Sequence, residues 1–144
     1  MRSILGAALG IACVAVLVAH AQESKTVWDG IYSEAQAKRG EQVYAESCAN
    51  CHGAVIEGID MSPSLNGNTF SSNWNDLTVG DLVDRIRISM PADRPGTLPK
   101  NQLIDVVAFM LKANKFPAGE SDMGQDIPML KQIRIVHEKP APSH

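Results

Sequence analysis

Hydrophobic residues recur every three or four positions in three segments of this chain, and this spacing predicts three amphipathic helices. The first begins at Ser33, which forms a possible capping box with Gln36, and runs to about residue 49. The last covers residues 102–113. The faces predicted to point inward are Ala37, Gly40, Val43, Tyr44 and Ser47 in the first helix and Leu103, Val106, Val107, Met110 and Leu111 in the last. No strand pattern of any length is present, so the predicted fold class is all-α.

Gly40 lies in the middle of the first predicted helix, where glycine costs roughly 1 kcal/mol relative to alanine. Close approach of another helix would explain a glycine here, and the apolar last helix is the available partner. We therefore predict that the N- and C-terminal helices cross at Gly40. The alternative is a solvent-facing glycine that the helix tolerates.

The middle of the chain combines a long irregular segment with one short helix. Residues 53–75 are rich in Gly, Asn, Ser and Pro, which predicts an ordered loop. Thr78 and Asp81 then form a second capping box, and the helix that they open ends before Pro91, because a residue that precedes proline avoids the helical conformation. Predicted to point inward are Leu65 and Phe70 in the loop and Leu82, Val83 and Ile86 in the helix.

The pentapeptide Cys48-Ala49-Asn50-Cys51-His52 is the attachment pattern of a c-type haem. On one helical turn both sulfurs can reach the haem vinyl groups while His52 lies beneath the iron. A zinc site would need four protein ligands, and the mature chain has too few. A thioredoxin-like dithiol would follow a strand, whereas the residues before Cys48 are predicted to be helical. A structural disulfide would leave His52 unexplained.

The N-terminus has the features of an export signal. A basic start is followed by an apolar run over residues 4–19 and by Ala19-His20-Ala21, a small-x-small cleavage pattern. We predict that residues 1–21 are a signal peptide that is cleaved, since the apolar run is shorter than the ~20 residues of a spanning helix. A retained membrane anchor is the alternative. Cleavage predicts a periplasmic protein with no integral membrane span.

Removing 21 of the 144 residues leaves 123, which is one small domain. Only 5% of the residues are aromatic, so the core would be modest without the large apolar surface of a buried haem. Arg2 leaves with the signal, so 12 basic residues face 16 acidic ones and the formal charge is −4. This acidic balance argues against a nucleic-acid partner.

A haem iron held by His52 needs a ligand on its other side, and thioether sulfur is usual in electron carriers. Met90 is the predicted ligand, because it follows a helix and is fixed by Pro91. Met61 is too close to His52 in sequence to cross to the opposite face. The other methionines are Met1 in the signal, Met110 in the apolar helix, and Met123 and Met129 near the C-terminus. A core role is the alternative for Met90.

Taken together, these features resemble the class I cytochromes c, especially small bacterial monohaem cytochromes and the haem domains attached to quinoprotein alcohol dehydrogenases. The residues that carry the resemblance are Val27-Trp28-Asp29-Gly30, Arg39-Gly40, Tyr44, the haem-binding motif, Pro63-Ser64-Leu65, Ile86-Arg87, Met90-Pro91, Pro95-Gly96-Thr97-Leu98 and Asn114-Lys115-Phe116-Pro117-Ala118-Gly119. It implies a cytochrome c domain over residues 22–119 with long ordered loops that cover the haem. The resemblance ends near Gly119, and we predict that residues 120–144 are a C-terminal extension whose last residues are disordered.

The same resemblance implies a role for each site residue. Cys48 and Cys51 would form the thioethers, His52 would be the proximal ligand and Met90 the distal one. The carbonyl of Pro63 would accept the ring N–H of His52 and fix its orientation. One position departs from the family, because Pro99 stands where relatives commonly have Ser or Asp at the cap of the last helix. Proline suits a first helical turn, so the helix is still expected.

Two further residues are candidates for contacts with the haem propionates. Trp74 could donate its indole N–H to a propionate or simply pack beside the cofactor. Arg87, and less readily Arg85, could pair with a propionate or lie on a solvated helix face.

Six-coordinate iron has no open position for oxygen chemistry, and no nucleophile–base pair or carboxylate dyad occurs in a plausible pocket. We therefore expect an electron carrier rather than an enzyme. The resemblance implies a quinoprotein or similar dehydrogenase as donor and an oxidase or another cytochrome as acceptor. One alternative is a fixed haem subunit of a periplasmic oxidoreductase complex, to which residues 120–139 could bind unless they wrap their own domain. Another is a haem-based gas sensor in which Met90 is displaceable.

Overall fold

The computed structural model describes residues 25–60 and 62–141. The predicted signal peptide, Met61 and the last three residues, which were expected to be disordered, lie outside these ranges. The helices are α1 (Glu34–Ser47), α2 (Ala49–His52), α3 (Gly67–Trp74), α4 (Val79–Ser89), α5 (Lys100–Ala113) and α6 (Ile127–Leu130). Extended segments in the described residues pair only through isolated bridges, which confirms the all-α prediction. In the same ranges no helix is both long enough and apolar enough to span a membrane.

The crossing of α1 and α5 at Gly40 is confirmed. A Cβ atom built on Gly40 would overlap the backbone carbonyl of Asp105 on α5, and it would lie 3.0 Å from Cβ of Phe109. Four residues later, the ring of Tyr44 packs on that of Phe109 with 5.1 Å between centroids. The predicted inward residues of α5 are all buried, and in α1 Ala37, Gly40 and Tyr44 are buried while Val43 and Ser47 are half-buried.

Only half of the capping box predicted for α1 forms. The hydroxyl of Ser33 accepts the backbone N–H of Gln36 at 3.0 Å. The Gln36 amide, however, does not return to Ser33, because it forms two hydrogen bonds with the backbone of Met123. At α4 both halves of the box are present, and the helix ends at Ser89 as predicted. Helix α5 begins at Lys100 behind Pro99 without a side-chain cap.

The prediction of an irregular loop over residues 53–75 is wrong for its second half, which forms α3. Phe70 is buried and its ring lies 6.4 Å from that of Phe116. Leu65 is half-buried against the same core, as expected. Tertiary packing of Phe70 therefore stabilises a helix that its polar sequence does not favour.

Residues 120–137 pack on the rest of the chain, so the extension wraps its own domain. Residues 133–135 run between residues 25–27 and the segment that leads into α4, with Arg134 bridging Thr26 on one side and Thr78 on the other. On one side the Val27 N–H donates to the Arg134 carbonyl at 3.0 Å, and on the other the Ile135 N–H donates to the Leu77 carbonyl at 2.8 Å. Trp28 also donates its indole N–H to the Val136 carbonyl, at 3.0 Å. The N-terminal arm and the extension therefore hold one another.

Candidate haem-attachment site

The junction of α1 and α2 brings the motif cysteines and histidine onto one turn. Cys48 leaves the helical conformation (φ −129°, ψ −36°), although its N–H still donates to the Tyr44 carbonyl at 2.8 Å. The N–H groups of Cys51 and His52 then both donate to the Cys48 carbonyl, at 3.1 and 3.0 Å. The short helix α2 thus gives the two sulfurs and the imidazole a fixed mutual arrangement.

Neither motif cysteine forms a disulfide, and Cys48 is half-buried while Cys51 is exposed. Burial, with a smaller contribution from the neighbouring Cys51, raises the pKa of Cys48 to about 11. Before a haem is attached, Cys48 is therefore a neutral thiol at neutral pH, the form in which its burial costs least.

The His52 side chain is buried, and one of its ring nitrogens has a protein partner. Nδ1 lies 3.0 Å from the carbonyl oxygen of Pro63, the contact that the sequence predicted. A carbonyl can only accept, so Nδ1 carries a proton and Nε2 is the ring nitrogen left to bind a metal. Such a contact fixes both the tautomer and the ring orientation of a ligating histidine.

The main chain on the C-terminal side of His52 is fixed as well. The His52 carbonyl accepts the N–H of Gly58 at 2.7 Å, and the Gly53 carbonyl accepts the Tyr44 hydroxyl at 2.8 Å. Gly53 has φ +83°, and an added Cβ would overlap the Glu57 carboxylate. Glycine is favoured at this position by its positive φ rather than by its neighbour, because the Glu57 carboxylate is the end of a flexible side chain and could move aside.

Asn114, at the end of α5, holds the segment that follows Pro63. Its amide N–H donates to the Leu65 carbonyl at 3.0 Å, and its oxygen accepts the N–H of Gly67 at 3.0 Å. The sequence contained this residue among those of the family resemblance, but nothing in its local pattern indicated contacts across the fold. The segment that directly follows Pro63 is thus anchored to the end of α5.

Met90 is the first residue after α4, with extended backbone (φ −127°, ψ 153°) and its N–H donating to the Ile86 carbonyl at 2.8 Å. Its side chain is half-buried against the hydrophobic core. Trp74 likewise packs half-buried against the core. Arg87 pairs with Asp84 at 3.0 Å on the same helix and is 56% exposed, as expected for a solvated helix face.

The residues present fit a covalently attached haem. Two free thiols and an imidazole with its Nε2 lone pair available occupy one rigid turn, which is the donor set that thioether attachment and axial ligation require. Comparison with known proteins agrees. The family model described as cytochrome C oxidase, cbb3-type, subunit III matches residues 35–110, just over half of the chain. This chain belongs to that family of c-type cytochromes.

A second similarity supports the assignment. The cytochrome is 31% identical over 87 residues to cytochrome c-551 of Bacillus subtilis (strain 168), covering 60% of this chain and 74% of that protein. Among solved structures, it is similar to a chain of the sulfane dehydrogenase SoxCD from Paracoccus pantotrophus, with a TM-score of 0.51 and 24% identity. That similarity covers 88% of this chain and 68% of the other, and at this identity it shows the fold alone.

The cytochrome therefore carries covalent haem c with iron and transfers electrons, as the sequence predicted. Cys48 and Cys51 fit the Cys-x-x-Cys-His attachment motif of the family. As an electron-transfer protein of this family, it has redox proteins as its partners in general.

Proposed function

We propose that this cytochrome is an exported, periplasmic carrier of single electrons and is not itself an enzyme. In this proposal Cys48 and Cys51 form the thioethers, and His52 and Met90 are the axial ligands. The observation that carries the proposal is the hydrogen bond between His52 Nδ1 and the Pro63 carbonyl, because it presents Nε2 as an oriented ligand from a buried ring.

Iron with imidazole and thioether ligands is stabilised in the ferrous state, which raises the reduction potential. The protein contributes rigidity, since His52 is restrained through both its ring and its main chain. Restrained ligands change little between oxidation states, and this favours fast electron transfer over bond-making chemistry.

The attachment and the ligands can be tested on the holoprotein from the periplasmic fraction. Cleavage after Ala21 predicts a mature chain that begins at Gln22 and whose mass includes one haem. Acidified organic solvent should leave the haem on the wild type. A chain without haem, or haem that is extracted, would contradict the proposal.

Met90→Ala tests the distal ligand. We expect it to lose the methionine–iron absorption band, to lower the reduction potential and to bind carbon monoxide readily in the ferrous state. Met129→Ala is the matched control, because Met129 is 57% exposed at α6. Identical spectra for Met90→Ala and the wild type would refute the ligand assignment, and carbon monoxide binding by the wild type would favour the gas-sensor alternative.

We propose a dehydrogenase as electron donor and an oxidase or another cytochrome as acceptor. The second candidate is a fixed haem subunit, and its support is that the matching family model is described as an oxidase subunit. Against it, residues 120–137 are already engaged with their own domain. Purification from the native host without affinity tags separates the two, because a carrier elutes alone and a subunit elutes with its complex.

Electron transfer by this cytochrome does not depend on a propionate contact from Arg87 or Trp74. Arg87 already has Asp84 as a partner, so Arg87→Gln should leave the spectrum and the potential unchanged. A shifted potential in this variant would instead support the contact that the sequence suggested.

A further inference from the structure

The chain contains two tyrosines, and both are buried with the hydroxyl donating to a backbone carbonyl. Tyr32 donates to the Phe116 carbonyl at 2.6 Å, and Tyr44 donates to the Gly53 carbonyl at 2.8 Å. Both are hydrogen bonds from a tyrosine hydroxyl to a main-chain carbonyl, but they lie in different parts of the fold. The first closes the C-terminal end of α5, whereas the second acts on the residue directly after His52.

Among the described residues, the Gly53 carbonyl has one other donor, the N–H of Ile56, at the longer distance of 3.3 Å. That donor belongs to the same loop and moves with it. The hydrogen bond from the Tyr44 hydroxyl therefore connects this carbonyl to α1, a helix outside the loop. The N–H of Gly53 is held by the Ala49 carbonyl at 2.9 Å, whereas the peptide that follows Gly53 has little steric restraint of its own, so the Tyr44 bond is what fixes its orientation from outside the loop.

Tyr44 is itself well restrained. Its side chain is 1% exposed, its ring packs on Phe109, and it stands one turn after the crossing at Gly40. Burial raises its pKa above the ordinary tyrosine range, so the hydroxyl keeps its proton and acts as a donor at neutral pH. Tyr44 therefore links the α1–α5 crossing to the main chain at Gly53, the residue after His52.

We propose that Tyr44 is a positioning residue for the iron ligand, in that its hydroxyl fixes the peptide between Gly53 and Ala54, the second after His52, and so restrains the main chain from which the imidazole projects. This inference rests on the proposed role of His52 as the proximal ligand. The Pro63 carbonyl restrains rotation of the ring, while Tyr44 restrains the backbone from which the ring projects. The two restraints act on different degrees of freedom, so neither replaces the other.

The test compares Tyr44→Phe with Tyr32→Phe in the holoprotein. Each variant keeps its ring and loses one buried hydrogen bond to a carbonyl, so both should lower the melting temperature. Only Tyr44→Phe should move the haem methyl resonances in the proton NMR spectrum of the ferric protein, which report the orientation of the axial ligands, and shift the reduction potential. Equal resonances and potentials in the two variants would overturn the proposal.

A second measurement applies if Tyr44→Phe accumulates too little holoprotein. In the Tyr32→Phe background Tyr44 is the sole tyrosine, and 3-fluorotyrosine then strengthens this donor alone. Fluorination should move the haem methyl resonances, and unchanged resonances would again overturn the proposal. If the wild-type ferric protein lacks a low-spin, imidazole-ligated spectrum, the proposed function is contradicted. If the wild-type spectrum is normal and Tyr44→Phe has no effect, only the proposed role of Tyr44 is contradicted.

Discussion

At Gly40 the lack of a side chain sets how closely α1 and α5 pack. A methyl group at this position would overlap the Asp105 carbonyl, which is main chain and cannot rotate away. We expect Gly40→Ala to lower the free energy of unfolding by about 3 kcal/mol, because the helices must separate. Denaturant titration of the holoprotein measures this. Gly124→Ala is the control, since no atom lies within 4 Å of its added Cβ, and an equal loss in both variants would contradict the crossing as the cause.

Asp84 links α4 to the C-terminal extension through Lys131 at 3.0 Å. Hydrogen bonds from Lys131 and Arg87 lower the pKa of Asp84 below its ordinary value of 3.8. A carboxylate with a depressed pKa stabilises the folded state above the unfolded pKa, and this contribution is lost as the pH falls through the folded pKa. We therefore expect Asp84→Asn to lower the melting temperature slightly at neutral pH, with the difference disappearing as the pH falls below 3.8.

The control for this prediction is Asp93→Asn. The Asp93 carboxylate is 79% exposed and lies 3.9 Å from Arg94, a pair that should contribute almost nothing. A difference between wild type and Asp84→Asn that persists unchanged at low pH would show that the ion pair is not its source.

At the scale of elements, the spacing of hydrophobic residues was sufficient to predict α1, α4 and α5, because each of these helices buries one face. It failed for α3, whose sequence Gly67–Trp74 is mostly polar and contains poor helix formers. That helix depends on the burial of Phe70 and on Asn114, which accepts the N–H of Gly67 from 47 positions away. Neither contact can be read from a local window.

Gln36 illustrates the same limit at a helix start. The Ser-x-x-Gln pattern predicts a reciprocal cap, but a glutamine amide binds whichever backbone group the fold brings to it. Here that group is Met123, with distances of 3.1 Å to its carbonyl and 2.6 Å from its N–H. Local sequence could not reveal a partner 87 positions away.

Gln36→Leu should therefore loosen the extension rather than α1. The substitution leaves the buried N–H and carbonyl of Met123 without partners, at a cost of about 2 kcal/mol. Hydrogen exchange should become faster at the amides of residues 123–135 and stay unchanged in α5. Exposed Gln132→Leu is the control, and faster exchange confined to α1 would contradict this account.

Across the whole molecule, the attachment motif was predictable because its residues are contiguous, and its chemistry requires one helical turn. Its supporting residues differ in how far away they lie. Tyr44 and Pro63 are 9 and 11 positions from the residues that they bond, whereas Asn114 reaches Leu65 from 49 positions away, at the end of α5. The resemblance to class I cytochromes ends near Gly119, so it could not place residues 120–137, which join the N-terminal arm to the start of α4.

This arrangement predicts that the cytochrome does not fold stably without its extension. Truncation after Gly119 removes the buried side chains of Met123, Leu130 and Ile135, each at most 3% exposed, together with the hydrogen bonds on both sides of residues 133–135. Each buried apolar side chain contributes roughly 1.5–3 kcal/mol, so the loss approaches the whole stability of a small domain. Circular dichroism should show a largely unfolded chain at temperatures where the full-length holoprotein is folded.

Truncation after His137 removes only exposed residues among those described and should leave the melting temperature unchanged. A chain ending at Gly119 that melts like the full-length protein would mean that the core of α1, α4 and α5 is sufficient by itself, and that the extension is an accessory.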